Sequence, residues 1–323
     1  MTKIIRIGTR ESQLAVWQAT LVQQLLAKNN VASELVYIKS EGDIDLQTPL
    51  YEMGVQGIFT KSLDVALLHN RIDIAVHSMK DVPTRLAKGI VQAAVLERAS
   101  YKDILVYKGD SDFVNGQLSM VNDSQAIKTA SHAGSPPFLI ATSSIRRKAQ
   151  WLNRYPGHII ENLRGNVNTR LRKVQEHNWN GAIFAAAGLE RIGLRPQKAI
   201  DLDWMLPAPA QGAIMVVCRE NDHFSLNACR HFHHEETALC TKIERDFLSA
   251  LLGGCSTPIS ALAQVKEKEI FFRGNILSVD GQHKAVVEKT LAIENCAHLG
   301  ENAAAEILKK GGDKIADTIR NAK

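Results

Sequence analysis

The sequence predicts an α/β chain of two doubly wound lobes followed by a small α+β C-terminal domain. Three observations carry that expectation. Ile72 to Val76 is a near-continuous apolar run, the pattern of a strand buried on both faces. IGTRESQLAVWQ (Ile7 to Gln18) returns as IATSSIRRKAQW (Ile140 to Trp151), each a strand end, a Thr, a Ser and then a helix. Such a repeat gives each lobe a hydroxyl-decorated helix N-terminus aimed outward, at the strand ends where open α/β sheets bind ligands. Beyond Cys218 the pattern changes class, to one long amphipathic helix and three strand-like runs. A chain of 323 residues is also too long for one ordinary core. Lobe 1 is expected over residues 1–98 and 213–230, lobe 2 over 99–212, and the third domain over 231–323.

In chain order, Lys3 to Ile7 reads as a strand, and Ser12 caps a helix whose Leu14, Trp17, Leu21 and Leu25 share a face. Leu35 to Ile38 is a strand, Ser40 to Gly57 a long loop of the functional kind, and Phe59 to His69 a helix. Val91 to Leu96 is a strand. Gly109 to Pro137, rich in Gly, Ser, Asn and Asp, is expected to be an excursion with little core of its own. Strands follow at Phe138 to Ala141, His158 to Leu163 and Ala182 to Ala186, and the linker Pro207 to Ala213 leads to another at Ile214 to Cys218. Glu235 to Leu252 is amphipathic through Leu239, Ile243, Phe247 and Leu251. Strands near Ile259 to Val265, Glu269 to Ile276 and Ala285 to Leu291 precede two closing helices separated by Gly311-Gly312.

Composition narrows the function. With 45% apolar and 23% charged residues the chain reads as soluble and globular. A net charge of +5 with 6% aromatics is too mild for a nucleic-acid face, so the basic balance is read as serving a small acidic ligand. The start MTKIIRIGTR offers no signal-peptide core, and no apolar run approaches membrane-spanning length. Five widely spaced cysteines suit free thiols in a reducing cytoplasm.

The charge is concentrated. Thr142 to Arg172 holds Arg146, Arg147, Arg154, Arg164, Arg170, Arg172 and Lys148 against a single acid, Glu161. Surface helices usually interleave both signs, so this excess at two helix N-termini points to anion binding by dipoles and guanidinium forks. HSMKDVP puts Lys80 and Asp81 at the end of a buried strand, where Asp81 is either a turn residue or a carboxylate that stabilises a developing cation. In Leu251-Leu252-Gly253-Gly254-Cys255 one glycine can cap the helix, and the second leaves the flank of Cys255 bare. CRHFHHEETALC (Cys229 to Cys240) lacks the paired spacing of zinc sites, and no metal is expected. No P-loop, nucleophile elbow or GxGxxG follows a strand.

RIGTRESQLAVWQ, DIAVHSMKDVP, ATSSIRRKAQ, LRGNVNTRL, AAAGLERIG, APAQGA and LLGGCSTPI occur here in the order found in porphobilinogen deaminases (hydroxymethylbilane synthases), and the chain closely resembles that family throughout. The resemblance implies two lobes like those of periplasmic binding proteins and a third domain whose Cys255 carries a dipyrromethane cofactor through a thioether. It implies a cytoplasmic, monomeric transferase of porphyrin (haem) biosynthesis. Four porphobilinogen units are joined with loss of ammonia, and the linear tetrapyrrole hydroxymethylbilane is released by hydrolysis. By the same match Lys80, Thr142, Ser144, Arg146 and Arg147 hold the cofactor, and Arg10, Ser12, Arg164, Arg170 and Arg191 hold substrate. Asp81 contacts pyrrole N–H groups and stabilises the azafulvenium-like cation left by the amine. Each pyrrole unit brings an acetate and a propionate, so the growing chain needs a cationic cleft; charges about 4 Å apart interact at roughly 4 kcal/mol for an effective dielectric near 20. Glu52 and Gln56 stand where the family's loop usually has lysines, Gln13 where proline is usual, and Ala141 where glycine is usual. The competing reading, a two-lobed binding protein for an anionic small molecule, explains the arginines but not Gly253-Gly254-Cys255.

Overall fold

A computed structural model describes residues 3–39, 60–119, 138–251 and 257–321. The loop of Glu52 and Gln56, the excursion from residue 120 to Pro137, and Gly253-Gly254-Cys255 lie outside the described residues.

Lobe 1 contains β1 (Ile5–Thr9), α1 (Gln13–Lys28), β2 (Ser33–Tyr37), α2 (Lys61–Leu68), β3 (Ile74–Ser78) and β4 (Ile90–Val95). Lobe 2 contains β5 (Asp103–Tyr107), α3 (Ser111–Ser119), β6 (Leu139–Ala141), α4 (Ile145–Arg154), β7 (Ile159–Glu161), α5 (Val167–Glu176), β8 (Gly181–Ala185), α6 (Ala186–Glu190) and β9 (Ala199–Asp201). The chain then returns to lobe 1 as β10 (Ile214–Arg219) and α7 (His223–Arg230).

The two sheets share one plan. Their orders are β2-β1-β3-β10-β4 and β7-β6-β8-β5-β9. In each, three parallel strands are followed by one antiparallel strand, β10 or β5, that pairs on both sides. That strand is the first to be laid down after the chain crosses between lobes. Each sheet is covered on both faces by its own apolar clusters. The repeat read from sequence is physical: Ser12 and Ser144 are N-caps of α1 and α4, accepting from the backbone N–H of Ala15 and Arg147.

Three expectations change. On α1 the fully buried face is Gln18, Ala19, Val22 and Leu26, one position on from the expected stripe, while Trp17, Leu21 and Leu25 are half-buried. The reason is that α1 serves two neighbours. Gln18 donates to the Ser78 hydroxyl at 2.9 Å on the sheet side, while Leu14 and Trp17 face Gly188 and Arg191 of lobe 2. The excursion begins with a helix, α3, whose Val114 is buried in the lobe 2 core beside half-buried Leu118. And β5, β9 and α7 were not expected from the sequence pattern.

The third domain packs α8 (Glu235–Leu251) and α9 (Leu299–Ile307) on an antiparallel sheet of β11 (Ile259–Lys266), β12 (Glu269–Leu277) and β13 (Lys284–Ala292), with α10 (Asp313–Asn321) closing it. Phe247 of α8 is fully buried against Phe272 at 5.2 Å, a burial that contributes about 2–3 kcal/mol.

The linkers between lobes, residues 96–102 and 202–213, run against each other. Gly212 has φ +90°, and a Cβ there would lie 2.7 Å from the Ala99 carbonyl oxygen, so no larger residue fits between them. Glu244 of α8, with no exposed surface, fastens the crossing. It accepts from Arg98 at 2.6 and 3.1 Å, from the Ala210 N–H at 2.6 Å and from the Ala263 N–H at 2.8 Å. The third domain also holds lobe 2 directly, with Gln150 donating to Ser260 and Asn153 to the Gly281 carbonyl.

Candidate active site

Strand β3 is buried along most of its length and delivers a short 3-10 turn, Met79–Asp81, at its carboxyl end. Lys80 and Asp81 therefore stand where the topology of an open α/β sheet places ligands. Burial pushes the Lys80 ammonium down to about 8, Asp81 and Asp103 pull it back up, and Arg147 and Arg146 add to the depression. One amine thus lies among cations contributed by the other lobe.

Those cations come from the first turn of α4. Arg146 and Arg147 are both nearly fully buried, and both bind Asp103, the first residue of β5. Arg146 reaches Asp103 Oδ2 at 2.7 Å and the Leu206 carbonyl at 2.8 Å. Arg147 reaches Asp103 Oδ1 through Nε at 3.1 Å and through a terminal nitrogen at 2.7 Å, and the Ile183 carbonyl at 2.9 Å. Burial alone would raise the Asp103 carboxyl, but the two guanidiniums hold it well below the usual carboxylate range. Gln211 of the second linker joins the lobes here, donating to Asp103 at 2.9 Å and accepting from Lys80 at 3.4 Å.

Arg164 and Arg170 flank the start of α5. Gly165 has φ +115°, and a Cβ there would meet Thr169 at 2.7 Å, so glycine is needed for the turn that buries Arg164 and lets Asn166 cap the helix. Arg170 donates through Nε to the Gly165 carbonyl at 2.7 Å. Burial lowers its guanidinium to about 10, Arg147 and Arg164 add to that, and Asp81 of lobe 1 opposes it. Arg164, Arg170, Arg147, Lys80 and Asp81 are thereby brought within one electrostatic neighbourhood.

Other expected site residues sit at its edges. Arg10 lies near His77, whose imidazole is pushed down to about 4 by burial and then by the Arg10 charge. The Thr142 hydroxyl accepts from the Ser144 N–H at 3.2 Å. Arg191 faces the linkers instead of the cluster: it donates to the Gly212 carbonyl at 2.6 Å and lies over Trp17 at 5.8 Å. Burial brings it to about 10, with Glu190 opposing. The Cys229 to Cys240 stretch is divided between cores, Cys229 in lobe 1 and Cys240 in the third domain, while His233 and His234 accept backbone N–H groups of Val95 and Thr237.

Asp103, Gln211 and Glu244 escaped the sequence reading. The available signal for Asp103 was an acid heading the apolar run DILVY. A carboxylate at the mouth of a doubly buried strand must find a cation, because an unpaired buried charge is prohibitively costly.

Two α/β lobes that converge a lysine and four arginines on two carboxylates define a receptor for a polyanionic small molecule. The porphobilinogen deaminase, dipyromethane cofactor binding domain family matches residues 5–227, and the porphobilinogen deaminase, C-terminal domain family matches residues 238–309. The chain belongs to the porphobilinogen deaminase family. It is 38% identical to the porphobilinogen deaminase of Pelobacter propionicus, over 98% of this chain and 97% of that one. It is 37% identical to that of Desulforamulus reducens, over 98% of each. Among solved structures, the methionine binding protein MetQ aligns with TM-score 0.41 at 14% identity, over 73% of this chain and 92% of that one.

Proposed function

We propose that the lobe-facing cluster is the active site of a hydroxymethylbilane synthase, with Lys80, Thr142, Ser144, Arg146 and Arg147 holding cofactor and Arg10, Ser12, Arg164 and Arg170 holding substrate; Arg191, which lies against the linkers, is assigned to substrate by the family match alone. The reaction is that of the family: four porphobilinogen molecules are condensed into hydroxymethylbilane with release of ammonia. The family's dipyrromethane cofactor, attached in this reading through Cys255, supplies the pyrrole carbon to which the first substrate is joined.

The donor set fits such a group. Lys80, Arg146, Arg147 and Arg170 outnumber Asp81 and Asp103, and the burial and, after it, the repulsion from neighbouring cations that lower Lys80 and Arg170 are offset when carboxylates arrive. This cation excess, assembled from both lobes, is the observation that carries the reading. Within it Asp81 is the carboxylate placed to stabilise positive charge as the amine of porphobilinogen departs, and Asp103 is committed to the arginines. The partition into residues 1–98 with 213–230, 99–212 and 231–323 then separates the two halves of the cleft from the domain bearing the anchor. The proposal takes the enzyme to be a monomer. Four described cysteines are free and buried, in keeping with a cytoplasmic enzyme. Among the described residues no helix is long and apolar enough to cross a membrane, and neither a membrane nor a nucleic acid enters the proposal.

Burial pushes the Cys218 thiol up to about 11 and those of Cys229 and Cys240 up to about 12, so none of these three is a competent nucleophile. Intact-mass measurement of the active protein should show the added mass of two linked pyrrole units. Peptide mapping should place it on the segment holding Cys255, and Cys255→Ser should lack it. An unmodified Cys255 in active protein would overturn the assignment of this residue as the anchor.

A further inference from the structure

The turn that carries Lys80 and Asp81 is held through its backbone. Met79 donates to the Ala213 carbonyl at 3.0 Å and Val82 to the Met79 carbonyl at 3.1 Å. Lys80 donates to Gln211 of the second linker at 3.4 Å, and further support comes from the third domain. Arg245 of α8, 9% exposed, donates to the Val82 carbonyl at 2.9 Å and the Pro83 carbonyl at 2.6 Å, with longer contacts to Thr84 at 3.3 Å and Met79 at 3.4 Å. These acceptors bracket Asp81 on both sides. A guanidinium is the side chain that can do this, because its planar fork presents several donors in fixed directions where an ammonium is a single pivot.

Arg245 is next to Glu244, which fastens both linkers. Successive residues of one rigid helix therefore clamp the crossing between lobes and the turn bearing the carboxylate. We propose that Arg245 is a positioning residue for the condensation: it fixes the Asp81 carboxylate relative to the third domain, so that each successive substrate meets it in the same place. The inference rests on the assignment of Asp81 above. Loss of the clamp leaves substrate binding by the arginines intact and loosens the geometry of the chemical step, where small misplacements cost large factors in rate.

The test uses the holoenzyme. Arg245→Lys keeps the charge with fewer directed donors, and Arg245→Met removes both; cofactor loading is checked by intact mass. With Arg245→Lys, kcat should fall about tenfold and KM should change by less than about threefold, and Arg245→Met should fall further. Should Arg245→Met fail to fold, the lysine variant carries the test. A role through Asp81 requires non-additivity: in an Asp81→Glu background, which already displaces the carboxylate, Arg245→Lys should lower kcat by less than about threefold. Wild-type kcat in the Arg245 variants, a loss confined to melting temperature, or fully multiplicative losses in the double variant would overturn the proposal. Full activity of Asp81→Asn would instead sink the assignment on which it rests, whatever Arg245 does.

Discussion

Asp103→Asn removes the charge that holds the arginines of α4 and leaves the shape in place. The wild-type carboxylate is fully buried and touches Arg146 at 2.7 Å and Arg147 at 2.7 and 3.1 Å. Each pairing is worth roughly 4 kcal/mol at a separation of about 4 Å and an effective dielectric near 20. The amide still accepts hydrogen bonds, so the net loss is smaller, about 3–5 kcal/mol, the range for breaking a buried ion pair. At about 2–4 °C per kcal/mol, the cofactor-free variant should melt roughly 6–20 °C below wild type. If Arg146 and Arg147 hold the cofactor as proposed, its carboxylates would stand in for the missing anion, so the deficit in holoprotein should be visibly smaller. The pH dependence has a definite sign. A carboxyl whose pKa is depressed on folding contributes stability above its unfolded value, near 4, and loses it as pH falls; wild type should therefore destabilise more steeply in acid than the variant. Scanning calorimetry of apo and holo forms at pH 7 and near pH 3, inside the window where the depressed carboxyl loses its contribution, measures all three. Equal deficits in apo and holo protein, or an apo variant melting within about 2 °C of wild type, would show that Asp103 does not govern these arginines.

Arg164→Leu and Arg170→Leu should each lower kcat/KM by about 2–4 kcal/mol while leaving the attached cofactor in place, read from steady-state kinetics and intact mass; near-wild-type rates in both would make these arginines structural. With Lys80 near 8 in the free site, binding of a synthetic dipyrromethane tetracarboxylate to cofactor-free protein should weaken as pH rises above 8, by up to about tenfold per unit. Lys80→Met should flatten that dependence in a calorimetric titration, and an unchanged slope would place the titrating group elsewhere. Glu244→Gln strands Arg98 at the linker crossing and should cost about 3–5 kcal/mol, splitting the single thermal transition as the third domain uncouples. A single transition at the wild-type temperature would contradict that coupling.

Local pattern made much of this fold legible. The apolar run of β3, the Ser-capped helices after β1 and β6, and the apolar stripe of α8 at every fourth residue are each dictated within a few residues, and they appear within two or three residues of where the sequence put them. What escaped was set by the crossing of the chain. β5 and β10 swap into place between strands distant in sequence, and α1 turns Leu14 and Trp17 toward a lobe that its own periodicity does not reveal.

The site divides along the same line. Its cations cluster in one basic stretch, so their excess is visible in sequence, whereas the groups that temper them sit at linker ends: Asp103 where the first linker enters β5, and Gln211 within the second. That placement has a physical consequence for the proposed catalysis. A pair of arginines facing a polyanion with no counter-charge would bind every carboxylate about equally tightly and release product slowly, since uniform binding raises no barrier-lowering difference. Neutralising Arg146 and Arg147 in part through Asp103 leaves Arg170, bonded to the Gly165 carbonyl, and Lys80, bonded to the Gln211 amide, to respond most to each arriving carboxylate. Gln211 bonds both Lys80 and Asp103, so one linker side chain joins the charged groups of the two lobes.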